Sequence, residues 1–250
     1  MADDDRDGDE GGDRDADVDT VELHESLDGQ VALVTGANRG IGAEIARQLS
    51  DLGATVYAGS RSRENETPEG TERVLLDVTQ EGDVEAAVDG IFGDVGRLDA
   101  LVNNAGVGEF GDDIVAEPTR RIDRTLAVNL RGPMLLCKHA VPLLLQREGG
   151  RVVNVSSGRG ALGEGMSGGS PAYRLSKTGL NGLTAYLHGE YAGDGLVANS
   201  ACPGWVRTET GGEEASRGVE EGAETPVWLA RFAPGSPGGA FWRRKERIDW

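Results

Sequence analysis

Tyr173 and Lys177 stand four residues apart in PAYRLSKTGLNGL (171–183), a stretch that reads as a helix. Both types are scarce, with 4 Tyr and 3 Lys among 250 residues. Residues i and i+4 share a helix face, so the two side chains can act on one ligand. The chemistry on offer is a phenol that gives or takes a proton, with a cation beside it to favour the phenolate. A ring and a charge on a solvated face have the same spacing, so partners must come from elsewhere in the chain. The second chemical group is the turn TGANRGIG (35–42). Its glycines, Gly36, Gly40 and Gly42, permit a tight turn, close approach of backbone to a phosphate, and close packing of helix on strand. The amides opening the next helix can then meet a pyrophosphate, with Asn38, Arg39 and Ile41 beside them.

These groups need a frame. QVALVTG (30–36) reads as a buried strand running into that turn, and GIGAEIARQLSDLG (40–53) as an amphipathic helix. Strands are predicted at 54–60, 73–79, 98–106, 150–157 and 195–204. Helices are predicted over about 81–93, 118–146 and 172–191, and one more in VEEGAETPVWLARF, with GGAFWRRKERI as a last strand. Alternating strands and helices predict a single α/β domain: a doubly wound (Rossmann) parallel sheet of about seven strands, helices on both faces. Ligands in such sheets bind outside the carboxyl ends of the strands, where both chemical groups fall.

The formal charge of −18 is unevenly placed. Residues 1–28 hold 13 acidic and 2 basic side chains, and the opening MADDDRDGDEGGDRDADVD has almost no apolar ones, which predicts a disordered tail over 1–28 ahead of a domain over 29–250. The body is still acidic, and 22 of the 25 basic residues are Arg, a balance that resembles cytoplasmic proteins of salt-loving microbes. A basic stripe is missing, which argues against nucleic-acid binding. No apolar run approaches the ~20 residues of a membrane span, and the acidic start is wrong for a signal peptide, so a soluble cytoplasmic protein is expected. Cys137, Cys202 and the three histidines lack metal-ligand spacing, and no metal is expected.

The spacing Gly-x-x-x-Gly-x-Gly resembles the short-chain dehydrogenase/reductase family, and four more stretches repeat the likeness in order. They are NNAG (103–106), VSS (155–157), YRLSK (173–177) and PGWVRT (203–208), with Asn129 in the long helix between the first two. The likeness covers about residues 29–250 and is strongest to the carbonyl reductase-like branch. It implies Tyr173 as general acid in carbonyl reduction and Lys177 as the cation that tunes it and holds the nicotinamide ribose. Ser157 then donates to the substrate oxygen, with Ser156 a structural neighbour, and Asn129 holds a water in a proton relay. Asn103 is implied as a strand support and cofactor neighbour, with Ala105 and Gly106 beside the cofactor. Asp77 and Val78 match positions cradling adenine, and Pro203, Gly204, Val206 and Thr208 the segment holding the carboxamide.

Ser157 and Tyr173 lie sixteen positions apart, against thirteen in compact members, and the extra residues fall in GRGALGEGMSGGSP. That glycine-rich loop is expected to be mobile and to wall the substrate pocket. At the end of the second strand the ribose-facing position is Ser60, followed by Arg61. A carboxylate there would repel a 2′-phosphate, whereas Arg61 and Arg39 could bind one, so NADPH is the expected cofactor. The function implied is reversible reduction of a small aldehyde or ketone by NADPH. The alternative is an NAD-dependent alcohol or hydroxysteroid dehydrogenase, and a remoter one a non-catalytic dinucleotide sensor. Relatives are often dimers or tetramers built through the long helices, which implies a homo-oligomer.

Overall fold

The computed structural model describes residues 21–250. Residues 1–20 of the tail expected over 1–28 therefore lie outside the described residues. β1 (Val31–Thr35) leads into α1 (Gly40–Asp51), followed by β2 (Thr55–Ser60), β3 (Glu72–Leu75) and α2 (Glu81–Val95). β4 (Ala100–Asn103) is followed by α3 (Thr119–Leu126) and α4 (Gly132–Leu144), then β5 (Arg151–Val155), α5 (Pro171–Tyr191) and β6 (Val197–Cys202). α6 (Val219–Ala230), β7 (Ala240–Arg243) and β8 (Glu246–Ile248) complete the chain.

The sheet runs β3-β2-β1-β4-β5-β6-β7-β8, and every neighbouring pair is parallel except β7 with β8. Eight strands stand where seven were expected, because GGAFWRRKERI folds as a hairpin. Arg244 and Lys245 both take positive φ (54° and 64°), the two-residue turn whose twist suits an antiparallel pair.

Both faces of the sheet are covered, and β1 shows why its five residues are all buried. Ala32 and Val34 face one core with Ile45 and Leu49 of α1 and Trp228 of α6. Val31 and Leu33 face the other, with Val88 and Ile91 of α2 and Leu136 and Leu144 of α4. Alternation at period two thus yields a continuous apolar strand when both sides are packed. In the first core Trp228, Phe232 and Trp242 pack edge to face, with centroids 4.7–6.1 Å apart. The buried Trp242 indole donates to Asn199 Oδ1 at 2.9 Å, so its polar atom has a partner.

Two sequence expectations need correction. The single helix expected over 118–146 is broken by a π turn at Ala127–Arg131, and Asn129 sits inside it. Residues 21–28 belong to the domain rather than to a tail. Leu27 is buried in the α1–α6 core, with Val21 and Leu23 packed on it. Leu23 bridges Phe232, and the His24 and Leu27 amides donate to Arg231 and Leu52 carbonyls at 2.8 and 2.7 Å. Composition hid this segment, since three apolar side chains among acids suffice to dock it.

Leu27→Ala is expected to cost about 2–5 kcal/mol, the range for emptying a buried leucine site. A chain beginning at Gly29 should melt roughly 5–15 °C below one beginning at Val21, at about 2–4 °C per kcal/mol for a domain of this size. Equal melting temperatures for the two chains would show that the docking contributes nothing.

Candidate active site

The carboxyl ends of β1, β2, β4, β5 and β6 open onto one cavity of about 1380 Å³. It lies where the strand order reverses between β1 and β4, the position at which open α/β sheets take ligands. Gly36, Asn38, Arg39, Gly40, Ile41 and Gly42 line one end. Thr35 and Asn104 fix that turn. The Thr35 hydroxyl accepts from the Asn104 and Ala105 amides at 3.0 and 2.9 Å. The Asn104 amide nitrogen donates to the Thr35 and Gly36 carbonyls at 2.9 and 3.2 Å. Gly36 has φ +64°, and a Cβ on Gly42 would lie 2.2 Å from Asn104 Nδ2, so only glycine fits there.

This cradle suits a dinucleotide. No side chain caps the start of α1, and its first turn has no acid. Its leading amides therefore remain free for an anion, which the helix dipole also favours. Ser60 closes β2 and lines the cavity, accepting from Asn65 Nδ2 at 2.7 Å. Arg61 lines it too and makes no ion pair among the described residues. Arg39, by contrast, pairs with Glu209 across the cavity mouth. Asp77 and Val78 line the adenine end, where Asp77 Oδ1 accepts from the Thr79 amide and hydroxyl at 2.9 and 2.7 Å.

Ala105, Gly106, Pro203, Gly204, Val206 and Thr208 all line the cavity, but Asn103 does not. Asn103 is the last residue of β4, and the pleat turns it into the sheet's α5 side. Its Nδ2 donates to Asn154 Oδ1 at 2.8 Å, and Asn154 in turn donates to Thr184 Oγ1 at 2.8 Å. The residue that lines the cavity is the next one, Asn104, which lies beyond the strand and so escapes its alternation. Sequence reading took the first asparagine of NNAG, and a one-residue shift of the strand end separates the two.

The proposed acid–base group gathers at the far end. Ser157, Tyr173 and Lys177 line the cavity. Lys177, on α5, is buried, donates to the Val155 carbonyl at 2.8 Å, and has its Nζ 5.9 Å from the Tyr173 ring centroid. Burial pushes its ammonium down to about 8, with the Cys202 sulfur pulling the other way. Burial also raises the Tyr173 phenol, a hydrogen bond with Ser157 draws it down, Cys202 raises it and the charge of Arg159 lowers it. The expected downward pull by Lys177 is not among these influences; Ser157 and Arg159 supply it instead.

Ser156 points away, its hydroxyl donating to the Lys177 carbonyl at 3.3 Å. Asn129 lies one layer behind the cavity, fully buried. Its side chain accepts from the Val107 amide and donates to the Val107 carbonyl, both at 2.8 Å, and to Ser176 Oγ at 3.1 Å. These bonds tie the π turn to the segment after β4, so Asn129 positions the wall beside Lys177.

The 158–172 loop is tied down rather than loose. It forms two 3₁₀ turns, Gly158–Gly160 and Leu162–Glu164, and the first is capped by Ser157 Oγ, which accepts from the Arg159 amide at 3.2 Å. Glu164 pairs with Arg243 at 2.7 Å, and the Gly163 amide donates to the Trp250 carbonyl at 2.8 Å. Sequence reading missed Phe110, Arg159, Cys202 and Arg243, which line the cavity around the reacting end. They come from separate elements and carry no shared motif. Trp205 is exposed in the cavity wall, its indole donating to the Gly211 carbonyl at 2.8 Å.

Comparison with known proteins bears on this geometry. The sequence model of the family described as "short chain dehydrogenase" matches residues 30–217. An uncharacterized oxidoreductase of Thermotoga maritima is 38% identical over 199 residues, covering 74% of each chain. Carbonyl reductase [NADPH] 1 of Rattus norvegicus is 32% identical, covering 90% of this chain and all of its own. The crystal structure of NADPH-bound carbonyl reductase from chicken fatty liver superposes with a TM-score of 0.81 at 25% identity, covering 90% of this chain and 100% of that one. The chain belongs to the short-chain dehydrogenase/reductase family of oxidoreductases acting on carbonyl and alcohol groups.

Proposed function

We propose that the protein reduces a small aldehyde or ketone with NADPH, reversibly with the alcohol. The observation that carries this reading is that Ser157, Tyr173 and Lys177 line one end of the same cavity whose other end is the glycine turn. The bound nicotinamide would supply hydride to the carbonyl carbon. Tyr173 gives its proton to the carbonyl oxygen, and Ser157 donates to the same oxygen as charge develops there. Lys177, whose Nζ lies 5.9 Å from the Tyr173 ring centroid, would hold the ribose, while Asn129 keeps the adjoining wall in place.

Tyr173→Phe should lower kcat by ~10²–10⁴ with little change in dinucleotide affinity, because only the proton donor is lost. Retention of more than about a tenth of kcat would remove Tyr173 from the acid role. A lysine whose value is lowered to about 8 keeps its charge below that pH and loses it above. The kcat/KM for reduction should therefore fall on the alkaline side with an apparent pKa near 8. A profile flat to pH 10 would show that Lys177's charge is not used.

NADPH is supported by Ser60 in place of a carboxylate and by Arg61, which lacks an acidic partner among the described residues. A planar guanidinium suits a phosphate through bidentate, charge-assisted bonds. One contact favours the alternative, NAD: Glu209 occupies Arg39, leaving the 2′-phosphate to Arg61. Wild type should prefer NADPH at least about tenfold in kcat/KM, and Ser60→Asp with Arg61→Ala should reverse the preference. Equal use of both cofactors by wild type decides for the alternative.

A second copy of the chain is the proposed partner, through the outer face of α4 and α5. Met134 and Tyr186 are 52% and 59% exposed there, beside a groove lined by Leu130, Val141 and Leu183. Light scattering should give a dimer or tetramer for wild type and a smaller species for Met134→Glu combined with Tyr186→Glu. A monomeric wild type would reject the assembly.

A further inference from the structure

The cavity has an excess cation at its reacting end. Arg39, Arg124 and Arg243 also line it, and each is paired, with Glu209, Glu109 and Glu164. Arg207 is turned onto the Ala215 carbonyl at 3.0 Å. Arg61, which also makes no ion pair among the described residues, follows Ser60 at the end of β2, toward the glycine turn. Arg159 is different. It lines the cavity two residues beyond Ser157, is exposed, and makes no ion pair among the described residues. In a chain with 43 acidic and 25 basic residues, an arginine without an acid beside it at this position calls for a ligand.

Its placement is fixed at both ends. The backbone is held by the Ser157 hydroxyl, and the Arg174 guanidinium donates to its carbonyl at 3.4 Å. The guanidinium lies over the Phe110 ring, 4.8 Å from the centroid. Phe110 in turn packs edge-on against Tyr173, centroids 5.2 Å apart. Stacking occupies the flat face of a guanidinium and leaves its edge N–H groups free, the groups that grip a carboxylate in bidentate fashion. The charge is also felt by the phenol, consistent with its being close to the reacting atoms.

We infer that Arg159 anchors a carboxylate of the substrate, so that the site takes small oxo acids, and the matching hydroxy acids in reverse, in preference to neutral ketones. This rests on the reading of the site as a carbonyl reductase and adds the substrate class to it. The carbonyl sits at Ser157 and Tyr173, and the carboxylate lies toward Arg159, with Phe110 between them as a flat wall. The chemistry balances as oxo acid plus reduced nicotinamide plus one proton giving hydroxy acid plus oxidised nicotinamide. Hydride bonds to the carbonyl carbon, the C=O π pair takes the Tyr173 proton into the product hydroxyl, and solvent supplies a new proton to the Tyr173 phenolate. The fixed cation also counters the repulsion that a net charge of −18 imposes on an approaching anion.

The test compares 4-oxopentanoate with its methyl ester, which keeps the ketone and replaces the carboxylate charge by one methyl group. Dissociation constants are measured calorimetrically on the full chain saturated with NADP⁺, where no hydride can move, and kcat/KM is measured separately with NADPH. Wild type should favour the acid over the ester at least about tenfold in both quantities, as a charge-assisted pair requires. Arg159→Ala should bring both ratios near one, and Arg159→Lys should keep part of the preference. A wild-type ratio near one overturns the inference. So does a ratio that survives in Arg159→Ala, including the case where both substrates slow equally because Arg159 only tunes Tyr173. If the binding preference and its loss appear but neither compound is reduced, the anion anchor stands and the reductase reading fails instead.

Discussion

Thr35 and Asn104 stitch the end of β1 to the end of β4, and the cavity depends on that stitch. The two strands are neighbours, yet the chain leaves them in opposite directions, so their carboxyl ends splay apart. Four hydrogen bonds between a hydroxyl, a carboxamide and backbone groups hold the cleft at one width. The close fit of Gly42 against Asn104 means that the same bonds also set where α1 begins. The uncapped start of α1 and the cavity wall at Asn104 and Ala105 are therefore one unit. Preorganisation of this kind limits the ordering cost that binding would otherwise carry.

The reacting end is built on a second set of constraints that run through the polar core. Asn129 reaches the Val107 peptide and Ser176 from a π turn, and such turns recur at functional sites because they re-aim one side chain without ending the helix. Lys177 lies deep enough to lose part of its proton affinity, while its Nζ is fixed on a β5 carbonyl. Alongside, a row of polar groups crosses β4, β5 and β6 through Asn103, Asn154 and Ser200, joined by Thr184. Each of these groups is buried and each has a partner within the row, which makes a polar layer tolerable inside the sheet even though Asn103 Oδ1 accepts no bond.

Local pattern made much of this legible. The glycine turn, β1 and the Tyr173–Lys177 helix could be placed because each is contiguous and each has a short-range cause. What stayed hidden was set by register or by packing between distant segments. Asn103 and Asn104 differ only in which side of a strand end they fall. The π turn depends on Asn129 meeting Val107, 22 residues earlier, and nothing in AVNLR announces it. Residues 21–28 looked like solvated tail because docking needs few side chains once a groove exists between α1 and α6. Arg159 could not be separated from the other arginines until the acids paired with Arg39, Arg124 and Arg243, and its own place over Phe110, were known.

The contacts of the last residues have a mechanical consequence. Trp250 stacks on Phe241 at 5.9 Å, its carbonyl receives the Gly163 amide, and Arg243 on β7 grips Glu164 from the same side. The β7–β8 hairpin thus works as a brace behind the turn that carries Arg159 and follows Ser157. Load applied at residues 248–250, by a fused partner or a surface tether, passes along that brace into the wall of the cavity. The carboxyl-terminal segment is in this sense a handle on the reacting end, although it is the part of the sheet farthest in order from the glycine turn.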